Sequence, residues 1–244
     1  MLIAKENHRM ALPRITIAVD GYSSCGKSTL ARALAQSLGY IYIDSGAMYR
    51  AVTLYVLEKG VDPRDWSAVE GLLPDIRIRF EMDTGAPRTI LNDRDVEDRI
   101  RSMDVSSHVS PIATIPAVRR KMVDQQQQLG QYGGIVMDGR DIGTVVFPQA
   151  EVKLFLTADM EERVRRRQNQ LSQKGKQIPA PDIRRNLFVR DYIDATRSDS
   201  PLTRAAGSVV IDNTNLSPVE QLSISLALVK SRLYPQPGAD SPKQ

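Results

Sequence analysis

The stretch Gly21-Tyr22-Ser23-Ser24-Cys25-Gly26-Lys27-Ser28 constrains this chain more than any other. It matches G-x-x-x-x-G-K-[ST] throughout, and its flanks are right for such a loop. Before it runs the short apolar segment 15–20 (ITIAVD), read as a buried strand; after it Leu30, Leu34 and Leu38 recur every four residues, one face of a helix that Gly39 closes. The glycines let the backbone turn and approach a phosphate without a Cβ in the way. Successive N–H groups and the helix dipole then make an anion cradle. In such a loop the lysine, Lys27, reaches the β- and γ-phosphates, and the hydroxyl of Ser28 can ligate Mg²⁺. A glycine-rich turn matching by chance is the competing reading, and the flanking strand and helix weigh against it. Cys25 reads either as a small residue that fits the loop or as a thiol made reactive by the helix N-terminus.

The rest of the chain continues the strand–helix alternation expected of a parallel sheet. Segment 40–43 is a second short strand and 47–59 a helix, with Gly60 and Pro63 behind it. The middle differs. Residues 76–81 (IRIRFE) alternate apolar and polar, 83–87 form a turn and 88–91 can pair back, which predicts a small antiparallel insert over about 75–97. Residues 105–129 read as helical, with Pro111 and Pro116 near the start and the glutamines 125–128 as a solvated face. Further strands are expected at 135–137, 152–156 and 209–211, and helices at 159–173, 182–196 and 218–233. Residues 1–14 read as an N-terminal extension, 15–234 as one unit and 235–244 as a disordered tail.

Composition narrows the class. With 244 residues, 41% hydrophobic and 25% charged, the chain can bury a core without staples. One cysteine excludes an internal disulfide and favours a reducing compartment. No segment approaches the about 18 apolar residues of a membrane span, and the charged start is a poor export signal; the expected location is cytoplasmic. A net charge of +4 suits an anionic small molecule better than a nucleic-acid track, which needs a clustered basic stripe.

Three clusters bear on what else is bound. In Asp44-Ser45-Gly46-Ala47-Met48-Tyr49-Arg50, at the carboxyl end of the second strand, Ser45 either caps the next helix or faces the crevice where Arg50 can grip a phosphate. In Asp138-Gly139-Arg140-Asp141, Asp138 is placed to orient magnesium through water and Arg140 to neutralise transferring phosphate. Asp141 is then free to accept from a base; the bland alternative is a turn with a local Arg–Asp pair. Arg190, Asp194 and Arg197 share one helical face, either as a solvated ion-pair row or as site residues. Arg163, Arg165, Arg166 and Arg167 precede a Gly/Pro-containing segment and suit either a mobile lid, about 159–197, or an exposed basic face.

GYSSCGKST, DSGAMYR, DGRDIGTVVFP and RDYIDATRSDSPL, in that order and spacing, resemble the bacterial cytidylate kinases, the (d)CMP kinases of the nucleoside monophosphate kinase family. The similarity runs from about residue 15 to 233, and the insert resembles the enlarged CMP-binding domain of the bacterial long form. The resemblance implies an α/β fold: a three-layer P-loop kinase sandwich with a parallel central sheet, a small antiparallel NMP-binding insert and a helical lid. It implies transfer of the γ-phosphoryl group of ATP to CMP or dCMP with Mg²⁺, in a monomer with neither nucleic-acid nor membrane partners. Position by position, Gly21, Tyr22, Ser23, Ser24, Cys25, Gly26, Lys27, Ser28 and Thr29 match the ATP-phosphate loop. Ser45, Arg50 and Arg140 match residues that hold the CMP phosphate, and Ser110, Arg119 and Asp141 those that read cytosine. Arg190 and Asp194 match residues near the sugar and phosphate, Arg197 a lid arginine near the transferring group and Arg166 a lid arginine on the ATP side. Lys27, Arg140, Arg197 and Arg166 are thus the expected catalytic set.

Rival readings are another small-acceptor kinase, using UMP or shikimate, a nucleotide-dependent switch, and a nucleic-acid binder. A guanine-reading switch should carry N-K-x-D; the nearest text here, Asp212-Asn213-Thr214-Asn215, lacks it.

Overall fold

A computed structural model describes residues 13–83 and 86–234. The expected disordered tail, most of the N-terminal extension and the tip of the hairpin turn lie outside the described residues. Pro13 and Arg14 are within them and are held: the Pro13 carbonyl accepts from the Tyr40 hydroxyl, and the Arg14 guanidinium donates to Gly133 O at 3.5 Å.

Five parallel strands form the central sheet in the order β2-β6-β1-β7-β8. They are β1 (Thr16–Gly21), β2 (Ile41–Asp44), β6 (Ile135–Gly139), β7 (Val152–Thr157) and β8 (Val209–Asp212). The first strand lies in the middle, paired to β6 on one side and β7 on the other. That position explains its composition: Ile17, Ala18 and Val19 are all fully buried, so no side chain between Thr16 and the loop meets water. The pleat sends alternate residues to opposite faces. Ile17 and Val19 pack with Leu30, Leu34 and Val229 from α1 (Lys27–Leu38) and α8 (Pro218–Leu233). Ala18 goes to the other side, with Ile43, Met137 and Ile142. Behind that face lie α2 (Ser45–Glu58), α4 (Met103–Ile112) and α5 (Pro116–Gly130), completing three layers.

Helix α2 is apolar nearly all round because it is enclosed nearly all round. Met48, Val52, Leu54 and Val56 are fully buried between the sheet and α4 and α5. The antiparallel insert is present as β3 (Ile78–Asp83) and β4 (Ala86–Leu91), followed by a third, two-residue strand, β5 (Arg94–Asp95). A short helix, α3 (Trp66–Leu72), precedes it. Helices α6 (Met160–Ser172) and α7 (Ala180–Thr196) pack on each other through Val164, Leu171, Ile183 and Leu187.

Two expectations need correction. The glutamines 125–128 are not a uniformly solvated face: Gln126 is buried, and Gln125 donates to the Ile78 carbonyl at 2.5 Å, tying α5 to the insert. The long helical region 105–129 is two helices, because Pro116 starts a new one and biases Ile115 toward extended backbone. Among the described residues, no helix is long and apolar enough to cross a membrane.

Candidate active site

The loop leaves the carboxyl end of β1 at Gly21, where φ is +143° and a Cβ would stand 2.0 Å from the Leu156 carbonyl oxygen. Only glycine lets the chain turn this close to β7. Gly26 has φ +101° and a Cβ there would meet the Asn213 amide at 2.5 Å. That amide donates to the Cys25 carbonyl at 2.8 Å, so β8's end props the loop from outside. Cys25 itself is fully buried, the packing reading rather than the reactive one. Lys27 is 6% exposed. Burial, then the nearby Arg140, pushes its ammonium pKa down. Its Nζ donates to the Tyr22 carbonyl at 2.6 Å.

Two carboxylates face the loop from the neighbouring strands. Asp44 and Asp138 are partners in register at the ends of β2 and β6. Asp138 accepts from Ser28 Oγ and from the Tyr42 hydroxyl, each at 2.8 Å. Burial and then Asp44 raise its pKa. Asp44 goes the other way. Burial acts to raise it, but Arg101, whose Nη2 lies 2.9 Å away, and then Arg50 outweigh that and hold it at about 2. Asp44, not Ser45, caps α2, accepting from the Ala47 N–H at 2.9 Å. Ser45 is the first residue of that helix, and its hydroxyl donates to the Asp138 carbonyl at 2.6 Å.

Beside the loop opens a cavity of about 410 Å³ that Arg50, Arg101, Arg140, Arg166, Arg167 and Arg190 share with Lys27 and the exposed Thr29. These cations are not all neutralised. Arg190 is pushed down to about 9 by burial, then by Arg50 and Arg140. Its Nη1 reaches Ser106 Oγ at 3.4 Å, while its buried Nε has no partner. Arg167 is pushed to about 10 by burial, then by Arg50 and Arg101. Guanidinium groups that depress one another in a shared cavity are arranged for a polyanion, since an anion relieves both the repulsion and the unmet donors.

Behind that cavity lies a second, more buried set. Arg119 is 1% exposed, ion-paired to Asp141 and 3.5 Å from Asp199 through Nε. Its guanidinium carbon lies 5.9 Å from the centre of the Tyr49 ring. Arg197 stands 3.7 Å from Asp141 and 4.0 Å from Asp194. Ser110 hydrogen-bonds Asp194, and Arg140 Nε donates to Asp194 at 2.8 Å. The row Arg190, Asp194, Arg197 is therefore buried rather than solvated. Arg140 and Asp141 turn to opposite partners rather than to each other. Of the expected site residues, Ser23, Ser24, Gly26, Lys27, Ser28 and Thr29 of the loop line the open cavity with Arg50, Arg140, Arg166 and Arg190, while Gly21, Tyr22 and Cys25 do not. Ser110, Arg119, Asp141, Asp194 and Arg197 form the closed network beside it.

Residues 17–231 match the family described as cytidylate kinase. The chain is 54% identical over 215 residues to a protein named cytidylate kinase from Phocaeicola vulgatus, covering 86% of this chain and 94% of that one. The chain belongs to the cytidylate kinase family. A second relative of that name, from Bacteroides fragilis, is 52% identical over 215 residues, covering 86% and 94%. A third, from Flavobacterium psychrophilum, is 48% identical over 225 residues, covering 90% of this chain and all of the relative.

Several residues at the site escaped sequence reasoning. Asp20, the last side chain of β1 before the loop, accepts from the Ile142 N–H at 2.8 Å and the Gly143 N–H at 2.7 Å, fastening the single π-helical turn Ile142–Val146 after Asp141. Burial pushes its pKa up to about 6. A carboxylate ending an otherwise apolar buried strand was the available signal. Asp191 accepts from the Ser23 N–H at 2.9 Å and pairs with Arg163. Arg163 is thus a buried structural arginine, unlike Arg165, which is exposed and paired to Glu162 at 2.6 Å. Arg166 spans Glu162 at 2.7 Å, the Cys25 carbonyl at 3.3 Å and the Asn213 carbonyl at 2.6 Å.

Proposed function

We propose that this chain transfers the γ-phosphoryl group of ATP to CMP or dCMP, giving ADP and CDP or dCDP. The observation that carries the reading is that the phosphate loop and an arginine-lined wall open onto one cavity, lined by both Lys27 and Arg140. Two anions meeting end to end need such a wall: each arginine and the lysine draws off charge from oxygens that would otherwise repel.

In this reading Gly21 to Thr29 hold the ATP phosphates, and Arg166 reaches them from α6. Arg50, Arg140 and Arg190 hold the acceptor phosphate, with Ser45 at the base of that wall. Arg140 follows the charge of the group in transit; Arg197, expected there with it, lies instead in the closed network beside Asp141. The acceptor phosphate is already an anionic nucleophile at neutral pH, so the residues have no proton to abstract. Ser110, Arg119 and Asp141 read the base. A carboxylate accepts from the N4 amino group of cytosine and repels the carbonyl that uracil carries there, a mismatch costing roughly 1–3 kcal/mol when buried. Residues of about 75–97 close over the acceptor, and the α6–α7 hairpin, within about 159–197, closes over the ATP and keeps water from the γ-phosphate.

Ser28 and Asp138 fit a magnesium ion. They offer a hydroxyl and a carboxylate, hard oxygen donors 2.8 Å apart, and Asp138 and Asp44 stand as adjacent acids that a cation would relieve. When bound, Mg²⁺ supplies charge neutralisation to the β- and γ-phosphate oxygens.

Coupled ADP-release assays across CMP, dCMP, UMP, AMP and shikimate test the reading. Highest kcat/KM for a cytidylate is expected; preference for any of the other three acceptors overturns it.

A further inference from the structure

Ser23 has each of its polar groups bound to a different element. Its N–H donates to Asp191 Oδ1 at 2.9 Å, its carbonyl accepts from Arg163 Nη1 at 3.2 Å, and its hydroxyl oxygen accepts from Arg140 Nη2 at 2.8 Å. It is 2% exposed. Asp191 and Arg163 are themselves ion-paired, one on α7 and the other on α6, so the Ser23 backbone is clamped between the two helices. Arg140 is held through its neighbouring donor by Asp194, which accepts from Nε at 2.8 Å.

We infer that the Ser23 hydroxyl is a positioning residue for Arg140, coupling the phosphate loop to the wall that takes the acceptor. The inference rests on the functional reading above. A guanidinium on a long stem has many rotamers, and gripping a phosphate with both prongs requires one of them. Asp194 fixes the Nε–H at the cost of part of the group's charge. Ser23 fixes the adjacent Nη2 with a neutral acceptor, which orients the group without drawing off further charge. Because Ser23 belongs to the phosphate loop, any shift of that loop carries its Oγ along, and Arg140 with it. The two nucleotides thus meet through a hydrogen bond that touches neither base.

A double-mutant cycle on the full chain tests this, using Ser23→Ala, Arg140→Ala and the pair, with steady-state kinetics in both nucleotides. Ser23→Ala keeps both backbone contacts. It is expected to lower kcat/KM for CMP about tenfold and to raise KM for CMP more than KM for ATP. In the Arg140→Ala background the same change should cost less than about twofold, because the group it orients is gone. Ser23→Thr, which keeps the oxygen, should recover most of the loss. If Ser23→Ala does not fold, Ser23→Cys, of similar shape and a weak acceptor, takes its place. Equal losses in the two backgrounds, or a threonine variant as poor as alanine, overturn the positioning role. A wild-type chain that phosphorylates neither CMP nor dCMP overturns the functional reading and the coupling with it.

Discussion

Arg140 donates through Nε to Asp194 at 2.8 Å, so this arginine of the cavity wall is steered by α7 rather than by the aspartate beside it in sequence. Burial acts to raise the Asp194 pKa, and Arg140, Arg190 and Arg197 outweigh it, holding the carboxyl below its usual range. Asp194→Asn keeps the shape and removes the charge that three guanidinium groups share. We predict a loss of roughly 3–5 kcal/mol of stability, the scale for stranding buried charge, and a drop in kcat/KM for CMP that exceeds the drop for ATP. Sulfate should raise the melting temperature of the variant more than that of the wild type, because an anion replaces the missing one. Thermal unfolding with and without sulfate reads this; equal shifts would count against the arrangement.

Lys27 gives a prediction with opposite signs for activity and stability. Its folded-state pKa is lowered, so burying the ammonium opposes folding. Lys27→Ala should cut turnover by at least about 10²-fold, the scale of losing one charge-stabilising group, while leaving the melting temperature unchanged or higher. A folded variant with normal turnover would remove Lys27 from the transfer step.

Much of this was legible because the signals are local. The glycine spacing of the loop, an apolar six-residue run and a four-residue leucine spacing each act within a few residues, so β1, the loop and α1 stand close to where the pattern places them. The hairpin was legible for the same reason: its alternation is its own. What was not legible depends on contacts across the chain. The Asp191 carboxylate lies 168 residues from the Ser23 amide it accepts, and the Asp20 carboxylate 122 from the Ile142 amide. Neither pairing leaves a mark in nearby sequence. The capping alternative for Ser45 was not decidable from sequence, because serine and aspartate both cap helices and the choice between Asp44 and Ser45 turns on one residue of backbone geometry.

Asp44 provides a pH test. Its pKa lies at about 2 in the folded chain, below its ordinary 3.8. A depressed carboxyl stabilises above its unfolded-state pKa, and that contribution disappears as pH falls through the folded value. The window is therefore from about 4 down to about 2, and the amount is on the order of 2 kcal/mol. Asp44→Asn should be less stable than wild type at pH 7, and the difference should shrink as pH falls through that window. Urea unfolding at both ends measures it; a difference that stays constant with pH would show that the loss does not come from the Asp44 charge.

Substitutions at Asp141 test whether base reading and phosphate binding are separate. Its carboxylate pairs with Arg119 and lies 3.7 Å from Arg197, while the cavity that holds the phosphate loop is lined by neither Asp141 nor Arg119. A residue so placed can affect the acceptor without touching ATP. Asp141→Ala should therefore raise KM for CMP far more than KM for ATP. Asp141→Asn is the sharper probe, because its amide can donate where the carboxylate only accepts. It should narrow the CMP-over-UMP preference by roughly ten- to a hundredfold, matching about 1–3 kcal/mol for one buried mismatch. Steady-state kinetics with both acceptors reads the ratio directly. An unchanged CMP-to-UMP ratio with equal losses in both substrates would mean that Asp141 only anchors Arg119 and that the base is read elsewhere.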